Sequence, residues 1–160
     1  SQDLIKRIMI ENDVSIDKES GAYDKEYFNH TSKSFFEAAV FNKKLIGITM
    51  IELMSSNSGA DLYLHDFCFS IKSNIRQSDM LVRWGKQVFL LAYLIDSSEN
   101  AQKFSRKLLT VMREEPFQSL SNISMRIGST VQTNNDDIYS IISRAHNALQ
   151  QTNDSCITVL

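Results

Sequence analysis

Arg76 and Asp79 are the residues of this sequence best suited by type and spacing to specific recognition. An arginine fork donates two bonds to adjacent acceptors such as N7 and O6 of guanine, and a carboxylate accepts from N1 and N2 donors, so Arg-x-x-Asp holds both halves of a purine reader. Arg76 can also bridge phosphate oxygens or stack its plane on a base, tasks for which lysine is a poor substitute. The alternative reading of the two residues is a short-range exposed ion pair after a helix, of little consequence for stability. They open the stretch RQSDMLVRWGKQVF, in which Leu81–Trp84 and Val88–Ile95 are apolar runs joined across Gly85-Lys86. That is the pattern of a β-hairpin with a tight turn. Arg83 reads either as support for a ligand phosphate or as an outward-facing strand residue, while Trp84 and Phe89 read as packing rather than base stacking.

Other reactive residue types are isolated. His30, His65 and His146 stand singly, with neither a HExxH spacing nor a Cys/His cluster, and are expected on surfaces or helix faces. Cys68 and Cys156 are too few for a disulfide framework and suit a reducing cytoplasm. Ser20 and Cys68 lack an acid–base partner, which argues against a nucleophilic hydrolase. Seventeen basic against nineteen acidic residues, a net charge of -2 and no long block of either sign give no basis for a nucleic-acid grip. No apolar run is long enough to span a membrane, and the start SQDLIKRIMIEND has no signal-peptide pattern. It also lacks an initiator methionine, consistent with a fragment of a longer protein that carries a further N-terminal region.

The elements that must position Arg76 and Asp79 follow from periodicity. Ile5–Ile10 fits either a strand or the end of a helix. Asp24 is expected to cap a helix reaching about Val40, with Gly21 allowing the turn before it and Phe28, Phe35, Phe36 and Ala39 buried. Leu45–Met54, nearly continuous in apolar residues, reads as a central strand. Leu64, Phe67, Cys68, Ile71 and Ile75 form one buried helical stripe starting near Asp61, itself a natural N-cap. After the hairpin, Ala101, Phe104, Leu108 and Val111 mark a helix ending before Pro116. Asn122–Val131 is then a strand, Asp136–Gln151 a helix with Ile138, Ile141, Ile142, Ala145, Ala148 and Leu149 on one face, and Ile157–Leu160 a closing strand. Alternating helix and strand patterns in one core give an α/β (α+β) fold.

In this order the segments resemble the GGDEF domain of bacterial diguanylate cyclases. DKESGAYDKEYF, residues 17–28, is similar to the family's opening Asp-x-Leu-Thr-Gly-Leu-x-Asn-Arg-Arg-x-Phe, with Asp17, Gly21 and Phe28 matching outright. Ile127 and Gly128 match a Ser-Ile-Gly strand, and SRAHNAL resembles the terminal helix Arg-Ala-Asp-x-Ala-Leu-Tyr. At the Gly-Gly-Asp/Glu-Glu-Phe signature the chain has Gly85, Lys86, Gln87, Val88 and Phe89, so only the ends match. Arg76 and Asp79 stand at the family's inhibitory site for its product, cyclic di-GMP, where a further arginine on the next helix corresponds to Lys107, with Arg106 beside it. The resemblance divides the chain into a lead-in segment, 1–16, and a degenerate GGDEF domain, 17–160. It implies a central, mainly antiparallel sheet flanked by helices.

The resemblance implies a damaged catalytic site beside a preserved ligand site. Glu52 stands at a metal-ligand position, with Met54 replacing the second acid; Asp61 falls at a guanine contact, and Asn57 alone is available as the guanine-reading Asn of a shortened loop. The phosphate-gripping Lys and Arg that follow the terminal helix have no counterpart in Asn153–Ile157. Joining two GTP molecules needs carboxylate-held divalent metal, whereas Gln87 offers a neutral amide oxygen and Val88 nothing polar. Lys86 adds a side chain where triphosphate approaches the backbone. The expectation is a non-catalytic domain, without cofactor or bound metal, that receives cyclic di-GMP through Arg76, Asp79, Lys107 and Arg106 and regulates exopolysaccharide production or biofilm behaviour. It is expected in the cytoplasm, where a longer protein can anchor it to a membrane, acting through a protein partner or N-terminal domain and through a ligand-dependent dimer. The alternatives are a nucleotide-independent interaction scaffold, a GTP sensor using Lys86, or a residual cyclase.

Overall fold

The computed structural model describes residues 4, 15–55, 62–114, 123–153 and 157–160. Expectations for Ile5–Ile10, Asn57, Asp61, Pro116 and Cys156 lie outside these residues. The elements run α1 (Lys25–Phe41), β1 (Leu45–Ser55), α2 (Leu62–Lys72), β2 (Met80–Arg83), β3 (Val88–Ile95), α3 (Ser98–Glu114), β4 (Ile123–Val131), α4 (Ile138–Gln150) and β5 (Ile157–Val159). The strands form one sheet in the order β2-β3-β1-β4-β5. All neighbours are antiparallel except β4 and β5.

The continuous apolar run of β1 has a direct cause: it lies in the middle of the sheet and both its faces are covered. Ile46, Ile48 and Met50 face one layer with Phe28 and Phe35 of α1 and Ile141, Ala145 and Leu149 of α4. Ile51 and Leu53 face the other, with Phe67 and Ile71 of α2 and Ala101 and Leu108 of α3. Asp24 caps α1 by accepting from Tyr27 N at 2.9 Å, as its sequence position predicts, and Gly21 takes the positive φ of +82° that the preceding turn requires. Gly128 is needed for close approach: a Cβ there would meet Leu149 N of α4 at 2.2 Å and Ala145 O at 2.7 Å.

The hairpin is wider than a two-residue turn. Trp84, Gly85, Lys86 and Gln87 all lie between β2 and β3, with the N–H groups of Trp84 and Gly85 both donating to Val88 O, at 2.8 and 3.0 Å. No helix among the described residues is long and apolar enough to cross a membrane.

Candidate functional site: a cationic cavity beside the hairpin

Arg76 and Asp79 are set by the connection from α2 to β2. Asp79 N donates to Arg76 O at 3.0 Å, and Arg76 N donates to Asp79 Oδ2 at 2.8 Å, closing a compact turn from both sides. Arg76 Nη2 donates to Leu94 O of β3 at 2.6 Å and to Asp79 Oδ1 at 3.3 Å. The two side chains differ sharply in access: Arg76 is 62% exposed and Asp79 only 1%. The expectation of an exposed ion pair therefore holds for the arginine alone. Burial pushes the Asp79 carboxyl up, while its bonds from Arg76 pull it back. Asp79 is built to fix Arg76, and direct contact with a base edge would require the turn to open.

Arg76 stands on the wall of a cavity of about 380 Å³. Its floor is apolar, from Ile75, Tyr93 and Phe104, the last two rings 4.5 Å apart at their centroids. Its rim is basic, from Lys44, Lys103 and Lys107. Lys44 is paired with Asp96, and Lys107 Nζ lies 3.4 Å from Asn74 O. Burial raises the Tyr93 hydroxyl to about 12, so it stays neutral, sharing a hydrogen bond with Thr49 Oγ1 at 2.8 Å. Lys107 is thus brought to the site with Arg76 and Asp79. Arg106 is not among the residues lining this cavity; its side chain is exposed elsewhere on α3. A second cavity of about 440 Å³ shares Ile75, Arg76 and Asp79.

The hairpin tip has a different character. Arg83, read from sequence as phosphate support or as an outward-facing residue, does not face outward: its side chain is 11% exposed. It donates from Nε to Gly85 O at 2.7 Å, from Nη2 to Lys86 O, and from Nη1 to Asp17 Oδ2 at 2.9 Å. Burial raises the Asp17 carboxyl, but hydrogen bonds from Ser20 and Arg83 outweigh it and hold the group below the ordinary value. Lys86 is exposed, Gln87 O accepts from Leu53 N at 2.8 Å, Val88 is half-buried, and Phe89 packs against Phe67 with ring centroids 4.9 Å apart. Trp84 packs edge-on against Phe28 at 5.4 Å and lies under the Lys25 ammonium at 4.6 Å.

Glu52 is the remaining carboxylate of the expected metal site. On β1 it faces Val88 across one ladder and Arg126 across the other. Arg126 Nε donates to Glu52 Oε1 at 2.9 Å and Nη2 donates to the same oxygen. A guanidinium thus occupies the carboxylate where magnesium would need it, and no group of three or more His, Cys, Asp or Glu side chains among the described residues could hold a metal ion. These residues do not fit a magnesium ion.

Residues 56–155, more than half of the chain, match the family described as "Diguanylate cyclase, GGDEF domain". The chain belongs to the GGDEF family. No protein of curated function matches it. Among solved structures, it is similar to the diguanylate cyclase SiaD of Pseudomonas aeruginosa, crystallised with its activator SiaC, at 14% identity and TM-score 0.79 over 99% of this chain and 67% of that one. A microbial GGDEF domain with a novel mode of interaction with cyclic di-GMP aligns at 16% identity and TM-score 0.77, covering 94% of this chain and 99% of that one. The GGDEF domain of FimX from Pseudomonas aeruginosa aligns at 20% identity and TM-score 0.75, covering 91% and 99%. These likenesses establish the GGDEF fold, a mixed five-stranded sheet flanked by helices.

Two features of this GGDEF domain escape a reading by sequence, and a third was within its reach. Lys44 and Asp96 reach the cavity together at one end of an antiparallel strand pair, Leu45 lying opposite Ile95. Arg126 finds Glu52 through strand register alone. Lys103 had a usable signal, since it precedes Lys107 by one helical turn and shares its face of α3.

Proposed function

We propose that this GGDEF domain does not synthesise cyclic di-GMP but binds it, in the cavity walled by Arg76, as a receptor. The observation that carries the reading is the state of Arg76: its guanidinium is fixed by Leu94 O and Asp79 yet 62% exposed, above an apolar floor and beside lysines. A fork held in place but still open to solvent loses little freedom when it grips a guanine edge or a phosphate. Phe104 offers a half-buried apolar ring to a purine, with the buried Tyr93 packed behind it, and Lys107 supplies charge. Asp79 serves chiefly by holding Arg76.

The absence of turnover rests on Glu52, whose carboxylate is taken by Arg126, and on Gln87 and Val88 in place of acids at the hairpin. Binding acts by favouring one arrangement of the domain against a partner surface, a neighbouring domain or a second copy joined through the ligand. Exopolysaccharide production or biofilm behaviour is the process such a receptor would regulate. The test runs two assays on one preparation. With GTP and magnesium or manganese, no cyclic di-GMP is expected, and measurable product overturns the non-catalytic reading. With labelled cyclic di-GMP, saturable binding is expected to be competed by unlabelled ligand; its absence overturns the receptor reading and leaves the interaction scaffold.

A further inference from the structure

We propose that a chain of four buried hydroxyls, on Tyr93, Thr49, Ser129 and Ser105, sets how α3 lies on the sheet and so positions Phe104 for the ligand, a step that rests on the receptor reading. Tyr93 Oη shares a hydrogen bond with Thr49 Oγ1 at 2.8 Å, Thr49 Oγ1 with Ser129 Oγ at 2.6 Å, and Ser129 Oγ with Ser105 Oγ at 2.7 Å. The chain runs from β3 through β1 and β4 to α3, and none of the four residues is more than 1% exposed. Thr49, Ser129 and Ser105 do not line the cavity, so whatever they do for a ligand is done through other residues.

Gly47 opens the path. It lies opposite Tyr93 in the ladder, and a Cβ there would meet the Tyr93 ring at 2.3 Å, so the ring crosses β1 at a point that only glycine leaves free. Phe104 packs on that ring with centroids 4.5 Å apart, and the next residue of α3 is Ser105. The arrangement is a closed loop: Phe104 touches the first member of the chain, and its neighbour in sequence is the last. Around the hydroxyls the layer is apolar, with Leu91 opposite Thr49, Ile127 beside Ser129, and Ala101 and Leu108 one turn to either side of Ser105. Apolar contacts are non-directional, so a helix resting on them alone rotates or slides at little cost. The hydroxyl chain permits one setting, because a member moved off its partner is left buried and unpaired. Its contribution is therefore to the placement of α3, and through α3 to the half-buried Phe104 ring on the cavity floor. Thr49, Ser129 and Ser105 are positioning residues.

Thr49 is the place to test this, since it is bonded on both sides and its two replacements separate hydroxyl from shape. Thr49→Val keeps the shape and loses the hydroxyl; Thr49→Ser keeps the hydroxyl and loses a methyl group. The experiment measures equilibrium binding of cyclic di-GMP and, in the ligand-free protein, the Phe104 ring resonances by NMR, whose positions depend on the stacking against Tyr93. Thr49→Val is expected to bind about tenfold more weakly, the equivalent of one buried hydrogen bond, and Thr49→Ser to stay within about threefold of wild type. The Phe104 resonances are expected to move in Thr49→Val and to stay in place in Thr49→Ser. Ser105→Ala, at the other end of the chain, is expected to repeat both effects of Thr49→Val. In a Phe104→Leu background the further loss caused by Thr49→Val should fall below about threefold, because the two residues act on one contact. Thr49→Val and Ser105→Ala binding as the wild type does, or leaving the Phe104 resonances unmoved, overturns the positioning role while the receptor reading stands. Thr49→Ser as weak as Thr49→Val, or an undiminished loss in the Phe104→Leu background, overturns it as well. Wild-type protein that takes up no ligand overturns the receptor reading and the ligand half of this inference, and the Phe104 resonances still decide whether the chain sets α3.

Discussion

Replacing Arg126 by Met tests whether the guanidinium holds Glu52 as the structure describes. The pair is three-quarters buried, with side chains 24% and 25% exposed, and Arg126 grips one carboxylate oxygen from two nitrogens. Exposed pairs contribute about 0–1 kcal/mol, and removing one partner of a fully buried pair costs about 3–5 kcal/mol. The intermediate burial of Glu52 places Arg126→Met at about 2 kcal/mol, a fall of about 4–8 °C in melting temperature for a domain of this size. Arg126 also donates to Thr152 O at 3.3 Å, a bond lost in the same variant, so a double-mutant cycle is needed to isolate the pair. Glu52→Leu combined with Arg126→Met removes both charges from facing positions of β1 and β4, and is expected to recover at least half of the loss. Urea unfolding followed by circular dichroism gives the four free energies. In parallel, magnesium or manganese is expected to leave the wild-type melting temperature unchanged. A coupling below about 0.5 kcal/mol, or a rise in wild-type melting temperature with either cation, would refute the assignment of Glu52 to Arg126.

Gly128→Ala should cost about 3 kcal/mol, because its Cβ meets backbone of α4 at 2.2 Å and the helix must retreat from the sheet; a melting temperature within 2 °C of wild type would show that this contact is looser than described. Asp136 receives Arg144 Nη1 and Nη2 at 3.1 and 2.6 Å, which hold its carboxyl well below the usual range. A lowered folded value means that the group stabilises the fold above its unfolded value of about 3.9 and that this contribution is lost as pH falls through the folded value. Asp136→Asn is therefore expected to cost about 2 kcal/mol at neutral pH and to flatten the acid limb of a stability–pH profile; an unchanged limb would contradict this. Burial raises the Cys68 thiol to about 11, so in a Cys156→Ser background the folded protein should resist thiol reagents at pH 8 and react only on unfolding, and fast native labelling would contradict the burial.

What the sequence makes legible is what repeats locally. The stripe Leu64, Phe67, Cys68, Ile71 is buried as its period requires, although its expected last member, Ile75, lies beyond the helix end at Lys72 and is only half-buried, and Ile138, Ile141, Ala145 and Leu149 are buried likewise. Asp24 and Gly21 could be read because a cap and a positive φ each depend on a few neighbouring residues. Arg83 and Glu52 were not legible in the same way. Their partners, Asp17 and Arg126, lie 66 and 74 positions away, and the contacts exist only once the hairpin tip folds back and β1 and β4 settle in one register. The contrast between Arg76 and Asp79 belongs to this class too: one carbonyl, Leu94 O, fixes the guanidinium, and the turn buries the acid beneath it. Four residues of tip, rather than a two-residue turn, follow from two N–H groups converging on Val88 O, a geometry that Gly85-Lys86 alone does not announce.

The most direct test of the central claim is calorimetric titration of cyclic di-GMP into the wild-type chain, Arg76→Ala and Asp79→Ala, repeated with GTP as competitor. The account predicts saturable binding by the wild type and its loss in Arg76→Ala, which removes the fork. It also predicts weakening in Asp79→Ala, which frees the fork from its anchor, and no competition from GTP. Folded wild-type protein that takes up no cyclic di-GMP, or an Arg76→Ala variant that binds as the wild type does, would contradict it.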